Sequence, residues 1–480
     1  MEVIWNNDGL KPSKFTNPVV TIGNFDGCHI GHQKIFQKVK SHAARLGGVS
    51  VAYTFNPHPA SVVKGVTPQL IFTLEEKIEA IRNAAQTKLR EVGGGRAPSS
   101  GTLNNLAVFI RFSDQTEFGQ NISTYNNMFN GTTGNTMQSY FLEASYNALD
   151  IPTSYYPTPT TMVVSWQDSH PRGYYSPYSS SNTIGYTTNY QKTDREFTLL
   201  VNAVNAISSQ VPTGLNIDGD NDGKVDNVCF IIKGNTDGWS DLLWPHRWSI
   251  YDRYVFINGK RVYDFNFQLS AFLTSSGVGV LCHEMFHSLG APDLYHYSYD
   301  GLTPVGPWDL MENDGNPPQH MCAYMKYKYG HWISSIPVLT ADGTYTLNPL
   351  VNATDNCYKI PSPNSSSEYF VVEYRRKTGT FENSLPGSGM LIYRINPAYE
   401  GNSDGPPDEV YVYRPGGTTT ADGSVNLANY SSETGRTALN STTNPTPFLT
   451  NGSAGGININ SIGSAGTTIS FVLGNPITPP

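Results

Sequence analysis

The sequence predicts an α+β protein, with an incomplete α/β unit at the front and an antiparallel β-sandwich at the back. Three observations carry this. Residues 18–56 run strand, glycine turn, helix, strand; residues 103–335 mix helical and strand periods without regular alternation; beyond Pro337 there are only short alternating runs between Gly, Asn and Ser turns. Composition agrees: among 480 residues 15% are charged, with 45 Gly, 32 Pro and 29 Tyr. Such a chain favours turns and short strands over long salt-bridged helices.

Taken in order, "PVVTIGNF" (18–25) reads as a buried strand, "HQKIFQKVKSHAARLG" as a helix and "VSVAYTFN" (49–56) as a second strand. The turn before the helix carries Asp26, His29 and His32. Backbone N–H groups and the helix N-terminus there point at an anion, and the histidines can stabilise charge on a transferring phosphoryl group. Residues 1–84 carry a net charge of +3 and the remainder −11. The Gly/Ser/Pro-rich stretch 85–102 at this break is predicted to be a linker. "LNNLAVFIRFSD" (103–114) follows as a core strand, then two short helices, then the amphipathic helix "TDREFTLLVNAVNAISSQV" (193–211). His246, between aromatics in "WPHRW", suits contact with a substrate cleft and plain packing equally.

"NIDGDNDGKVDNVCFII" (216–232) sets Asp218, Asp220, Asp222 and Asp226 at alternating positions around Gly223. Such carboxylates converge on a hard cation when the loop curls, with the Lys224 carbonyl as a further oxygen. Position twelve is Cys229 rather than Glu, so the expectation is a structural calcium loop feeding a strand.

"SSGVGVLCHEMFHSLGAPDLY" (275–295) carries the sharpest signal. His283 and His287, four apart on a helix, share a face and can chelate one zinc. Glu284 beside them is the expected general base. Gly290 ends the helix through a left-handed residue. Asp293 then turns back as the third ligand, leaving a fourth position open as in catalytic zinc sites. Met311, in the Gly/Pro/Asp-rich "GPWDLMEND" 24 residues after His287, suits a Met-turn under the metal. Glu312 is the fallback third ligand.

Other classes are disfavoured. A net charge of −8 argues against nucleic acid. No apolar run is long enough to span a bilayer, and the first 30 residues lack a signal-peptide pattern. The five cysteines lack C-x-x-C spacing, which disfavours a thiolate metal site; four of them lie beyond residue 200, open to two disulfides or to buried thiols. A monomer is expected.

Two resemblances add to this. "TIGNFDGCHIGHQKI", "FNPHPASVV" and "LIFTLEEKIEAI" together resemble the adenylyltransferase domain of bacterial bifunctional riboflavin kinase/FAD synthetases over residues 15–84. Asp26, His29 and His32 fall on that family's H-x-G-H turn, implying a Rossmann-like nucleotidyltransferase fragment. The later Ser/Thr- and Arg-containing motif and the kinase domain do not follow, so the nucleotide site is expected to be vestigial. "HEMFHSLGAPDLY", "PWDLM", "MKYKYGHWI", "EYFVVEYR" and "LPGSGMLIYRI" resemble, in order, secreted bacterial metalloproteases of the immune-inhibitor-A type over residues 103–475. That resemblance implies a metzincin-like catalytic domain (103–335), a β-rich domain (336–475) and secretion of the parent protease. Asp293 departs from the usual metzincin third His. Tyr324 is the tyrosine considered for transition-state stabilisation.

The expected function is zinc-dependent endopeptidase action on protein or peptide substrates, through a metal-activated water with Glu284 as base. The alternatives are a calcium-stabilised β-domain binding protein with a vestigial protease site, and FMN adenylyl transfer by the N-terminal part.

Overall fold

The computed structural model describes residues 17–22, 30–53, 96–298 and 300–474. It divides into two compact units, Met1–Gly93 and Gly94–Pro480. In the first, β1 (Val19–Ile22) pairs in parallel with β2 (Ser50–Tyr53), Val19 opposite Ser50, and α1 (Ile30–Arg45) makes the crossover. This is the β-α-β arrangement the sequence predicts. Asp26 and His29 lie outside the described residues; His32 falls in the first turn of α1, but its side chain lies outside them.

The second unit is built on a mixed sheet. Its main path runs β4 (Thr153–Tyr156), β3 (Asn105–Arg111), β5 (Val228–Ile232), β7 (Asp264–Leu269), β6 (His246–Ser249), with the short strand Trp166–Gln167 also pairing with β3. Every pairing is parallel except β6 with β7, which places an antiparallel strand at one edge. Strands β3 and β5 read as continuous apolar runs because both faces are covered. Leu106, Val108, Ile110, Phe230 and Ile232 face one cluster, in which Phe197, Leu200 and Val204 of α4 (Asn189–Ile207) pack. Ala107, Phe109, Cys229 and Ile231 face the other, shared with α2 (Ile122–Phe129), α3 (Met137–Ala144) and α6 (Val278–Ser288). Helix α5 (Ser270–Ser276) joins β7 to α6.

After α7 (Ala323–Lys328) two antiparallel sheets follow. One has the order β8 (Gly343–Leu347), β14 (Ile469–Leu473), β13 (Ile459–Asn460); the other runs β9 (Cys357–Pro361), β10 (Tyr369–Arg375), β11 (Gly389–Ile395), β12 (Val410–Val412). The four-stranded sheet is buried on both sides. Val372, Tyr374 and Ile392 share a cluster with Leu347 and Phe471 of the smaller sheet, while Val371, Tyr393 and Ile395 join the cluster that contains α6. Buried Arg375 of β10 bonds the Trp308 carbonyl (2.7 Å) and the Glu382 carboxylate, fixing the turn before Met311 to this sheet.

Cys229, Cys282, Cys322 and Cys357 are buried free thiols. Of the expected linker, residues 96–102 are described and belong to the second unit. Ala97 donates its N–H to the Ser288 carbonyl (3.0 Å), and Ser99 accepts from the Trp332 indole (2.7 Å).

Candidate metal centre

Helix α6 brings His283 and His287 onto one face, as four-residue spacing requires. It ends in the double hydrogen bond of a Schellman turn: Gly290 N–H to the His287 carbonyl (2.9 Å) and Ala291 N–H to the Phe286 carbonyl (3.1 Å). Gly290 sits at φ +98°, a conformation that favours glycine. The reversal carries Asp293 back over the two histidines. Its Oδ1 lies 3.1 Å from His283 Nε2 and 3.2 Å from His287 Nε2, and the two Nε2 atoms are 3.1 Å apart.

The environment decides what these atoms are. His283 Nδ1 donates to the Leu310 carbonyl (3.0 Å) and His287 Nδ1 to the Ala291 carbonyl (2.7 Å). A carbonyl only accepts, so each Nδ1 carries the proton and a neutral ring turns an Nε2 lone pair inward. Two lone pairs and a carboxylate oxygen therefore converge, with His283 and Asp293 buried and His287 half-buried. Three acceptors in such a cluster need a proton or a cation between them. Ligand atoms about 2.0–2.1 Å from one tetrahedral ion stand about 3.3 Å apart, so the observed triangle fits three corners around a metal. In the bare site burial lowers the His283 pKa, but the Asp293 hydrogen bond and charge push it up to about 10. For Asp293 burial acts upward, yet the two histidines hold its carboxyl far below the usual range.

Glu284 is 6% exposed, and its Oε2 has no hydrogen-bond partner among the described residues. Burial raises its pKa against the lowering pull of His283 and His287. Met311 is wholly buried; its carbonyl accepts from Leu294 N–H (2.9 Å), while the Leu310 carbonyl holds His283. The Leu310–Met311 turn thus fastens both ligand-bearing segments. Glu312 is not among the side chains that converge here; its Oε2 accepts the N–H groups of Val305 and Gly306 (2.5 and 2.6 Å). Tyr324 is also corrected: its hydroxyl is spent on buried Glu409 (2.6 Å). His246 bonds Glu196 (2.7 Å) and the Trp244 carbonyl (2.6 Å) and stacks on Phe267, so both its nitrogens serve the fold.

Several residues escaped sequence reasoning. Tyr297 donates its hydroxyl to Asp293 Oδ2 (2.5 Å), leaving Oδ1 for the cluster. A buried polar chain crosses under α6. Asn266 Nδ2 donates to the Glu284 carbonyl (2.8 Å) and to Ser288 Oγ (3.1 Å), Ser288 donates to Asn227 Oδ1 (3.0 Å), and Asn227 donates to Asn105 Oδ1 (2.7 Å). The available signal was an Asn inside or beside each apolar run: "NNLAVF", "DNVCF" and "FNFQL".

The acidic loop lies just before β5. Asp218, Asp220 and Asp222 bring ligand oxygens within 4.8 Å of one another. Asp218 is 2% exposed; its Oδ1 has no hydrogen-bond partner among the described residues, while Oδ2 accepts from Lys260 (2.5 Å) and Gly223 N–H (3.1 Å). Both oxygens of Asp226 accept from Gly219 N–H (3.0 Å), and burial pushes its carboxyl up to about 6. The Lys224 side chain pairs with Asp222 (2.8 Å).

A helix and the turn behind it thus bring together three side chains that could hold a metal ion. Residues 217–320 match the family model for the immune inhibitor A peptidase M6 catalytic domain. The match covers less than half of the chain and supports a peptidase. Residues 11–90 match the FAD synthetase family model. Curated relatives of that enzyme class match over short stretches. They include the bifunctional riboflavin kinase/FMN adenylyltransferases of Listeria monocytogenes (32% identical over 83 residues, 16% of this chain and 26% of the relative) and Bacillus subtilis (42% over 65 residues, 13% and 21%). A putative one from Geobacillus thermodenitrificans is 38% identical over 79 residues, 16% and 41%. The chain therefore spans between a fifth and two fifths of these relatives. A crystal structure of wild-type OgpA from Akkermansia muciniphila aligns over 65% of this chain and 82% of that one, at 10% identity and a TM-score of 0.27, too low to carry an argument. No helix among the described residues is long and apolar enough to cross a membrane.

Proposed function

We propose that the second unit is a zinc-dependent endopeptidase, with His283, His287 and Asp293 as metal ligands and Glu284 as general base. The observation that carries this is the convergence of two histidine Nε2 atoms and Asp293 Oδ1 beside Glu284 Oε2, which has no hydrogen-bond partner among the described residues. When bound there, zinc supplies Lewis acidity, which acidifies water and polarises a scissile carbonyl. The chain does the rest. The Leu310 and Ala291 carbonyls keep both imidazoles in the chelating tautomer, and Tyr297 orients Asp293. Glu284 takes the proton of the attacking water at Oε2 and returns it to the leaving amine. Action outside the cell is part of this reading, prompted by the match to the immune inhibitor A family. Casein digestion tests it: activity abolished by zinc chelation and restored by added zinc supports it, while undiminished digestion after chelation removes the metal.

We also propose a structural calcium site in the acidic loop, where Asp218, Asp220 and Asp222 converge and Asp226 and the Lys224 carbonyl would supply further oxygens. The buried Asp218 Oδ1, without a hydrogen-bond partner among the described residues, favours it. A lower melting temperature on calcium removal at constant zinc is expected; no shift would leave an acidic turn held by Lys260. To the first unit we assign no adenylyl transfer, since only a fraction of the relatives' length is matched.

A further inference from the structure

From Asp293 outward, a row of aromatic rings leads to the surface. Tyr295 lies with its ring centroid 6.5 Å from His283, Tyr297 lies 5.4 Å from Tyr295, and Trp239 stands edge-on to Tyr297 at 5.7 Å. Tyr297 spans inside and outside: its hydroxyl is bonded to a buried carboxylate, yet the residue is 45% exposed. Trp239 is 44% exposed. Two large aromatics side by side in solvent leave apolar surface uncovered at the mouth of a polar site.

Trp239 is not a loose side chain on a loose loop. The segment after β5 is fixed before it by Arg172, which bonds the Asn235 carbonyl (2.6 Å) and Asp237 (3.0 Å). After it, Lys192 bonds the Ser240 carbonyl (2.5 Å), and Asp241 accepts from Gly238 N–H (2.9 Å). A platform held on both sides loses little entropy when a ligand settles on it.

We infer that Trp239 and Tyr297 form a substrate subsite that takes an apolar or aromatic side chain of the protein being cut, close to the scissile bond. The distance sets which residue. From the indole through the Tyr297 ring and hydroxyl to the Asp293 carboxylate is at most about 11 Å, or three residues of extended chain at about 3.3 Å each. The subsite therefore reads a side chain near the cleaved bond. Ring faces and edges suit Phe, Tyr, Leu and Met through burial and ring pairing, whereas Asp or Glu gains nothing there and loses hydration.

This inference rests on the peptidase reading, and its test separates the two. Quenched-fluorescent peptides are made from a casein cleavage site located by mass spectrometry, with Phe or Asp at each of the three positions on either side. The zinc-loaded full chain is expected to prefer Phe at one of them by about tenfold or more in kcat/KM, the lower part of the range for apolar pockets. Trp239→Ala is expected to cut that ratio severalfold, and Trp239→Phe to restore most of it. Equal rates for Phe and Asp at all positions, or a ratio unchanged in a folded Trp239→Ala protein, overturn the subsite and leave the peptidase standing. No cleavage of any peptide or of casein by the zinc-loaded chain overturns both.

Discussion

Gly279, in the first turn of α6, stands one turn before His283 on the same helix face, and replacing it with alanine should disable the site. On propensity alone the change is favourable: Ala exceeds Gly in a helix by roughly 1 kcal/mol. The packing reverses the sign. A Cβ at Gly279 would lie 2.7 Å from the Asp314 carbonyl carbon, and nearer still to the carbonyl oxygens of Asp314 and Gly315. Nonbonded carbon contacts settle at about 3.5–4.0 Å, so helix and segment must part by about 1 Å. That segment is continuous with Leu310 and Met311, whose carbonyls fasten His283 and Leu294. Overpacking of this kind costs about 1–3 kcal/mol, exceeding the propensity gain. A shift of about 1 Å in positioned groups can cost on the order of 100-fold in rate. Gly279→Ala should therefore melt below the wild type and lose one to two orders of magnitude in kcat/KM on casein peptides. A variant that melts higher and cuts as fast would refute the claim that the turn after Met311 is locked onto the helix.

Three further outcomes are expected. Tyr297→Phe removes the hydroxyl that holds Asp293 Oδ2 and should weaken zinc binding by about 10–100-fold, read by competition with a coloured chelator; unchanged affinity would make Tyr297 only a rim residue. Lys326 is wholly buried, 3.3 Å from His320 Nδ1 and against the Tyr146 ring, and burial pushes its ammonium down to about 7. Between that value and its ordinary one the unfolded chain binds the extra proton, so this group's contribution to stability grows as pH rises. Wild type should gain on Lys326→Met by up to about 1.4 kcal/mol per pH unit between about pH 7.5 and 9.5, and a flat difference in urea unfolding would contradict the shift. Purified protein given FMN and ATP should form no FAD by chromatography; steady formation would make the first unit a working enzyme.

The sequence made some things legible because their causes are local. Four-residue spacing of histidines, a glycine at the helix end and alternating aspartates report on their own neighbourhood, and the structure brings His283, His287 and Asp293 together, as it does Asp218, Asp220 and Asp222. What stayed hidden depends on long-range pairing. Nothing local says that Glu312 is spent on two backbone N–H groups, or that Tyr324 reaches Glu409, 85 residues away. The polar chain from Asn105 through Asn227 and Ser288 to Asn266 joins four segments, and an Asn beside a strand carries no sign of its partner. The strands of the four-stranded sheet were readable as short runs between turns. That its second face shares a core with α6 was not, because near-continuous burial erases alternation.

The most direct test of the central claim sets Glu284→Ala beside the wild type, measuring bound zinc and casein digestion on the same samples. The account expects close to one zinc per chain in both proteins, since Glu284 is no ligand, and a loss of about three orders of magnitude in rate in the variant. A variant that digests casein at the wild-type rate, or a wild type that digests casein without binding zinc, would contradict it.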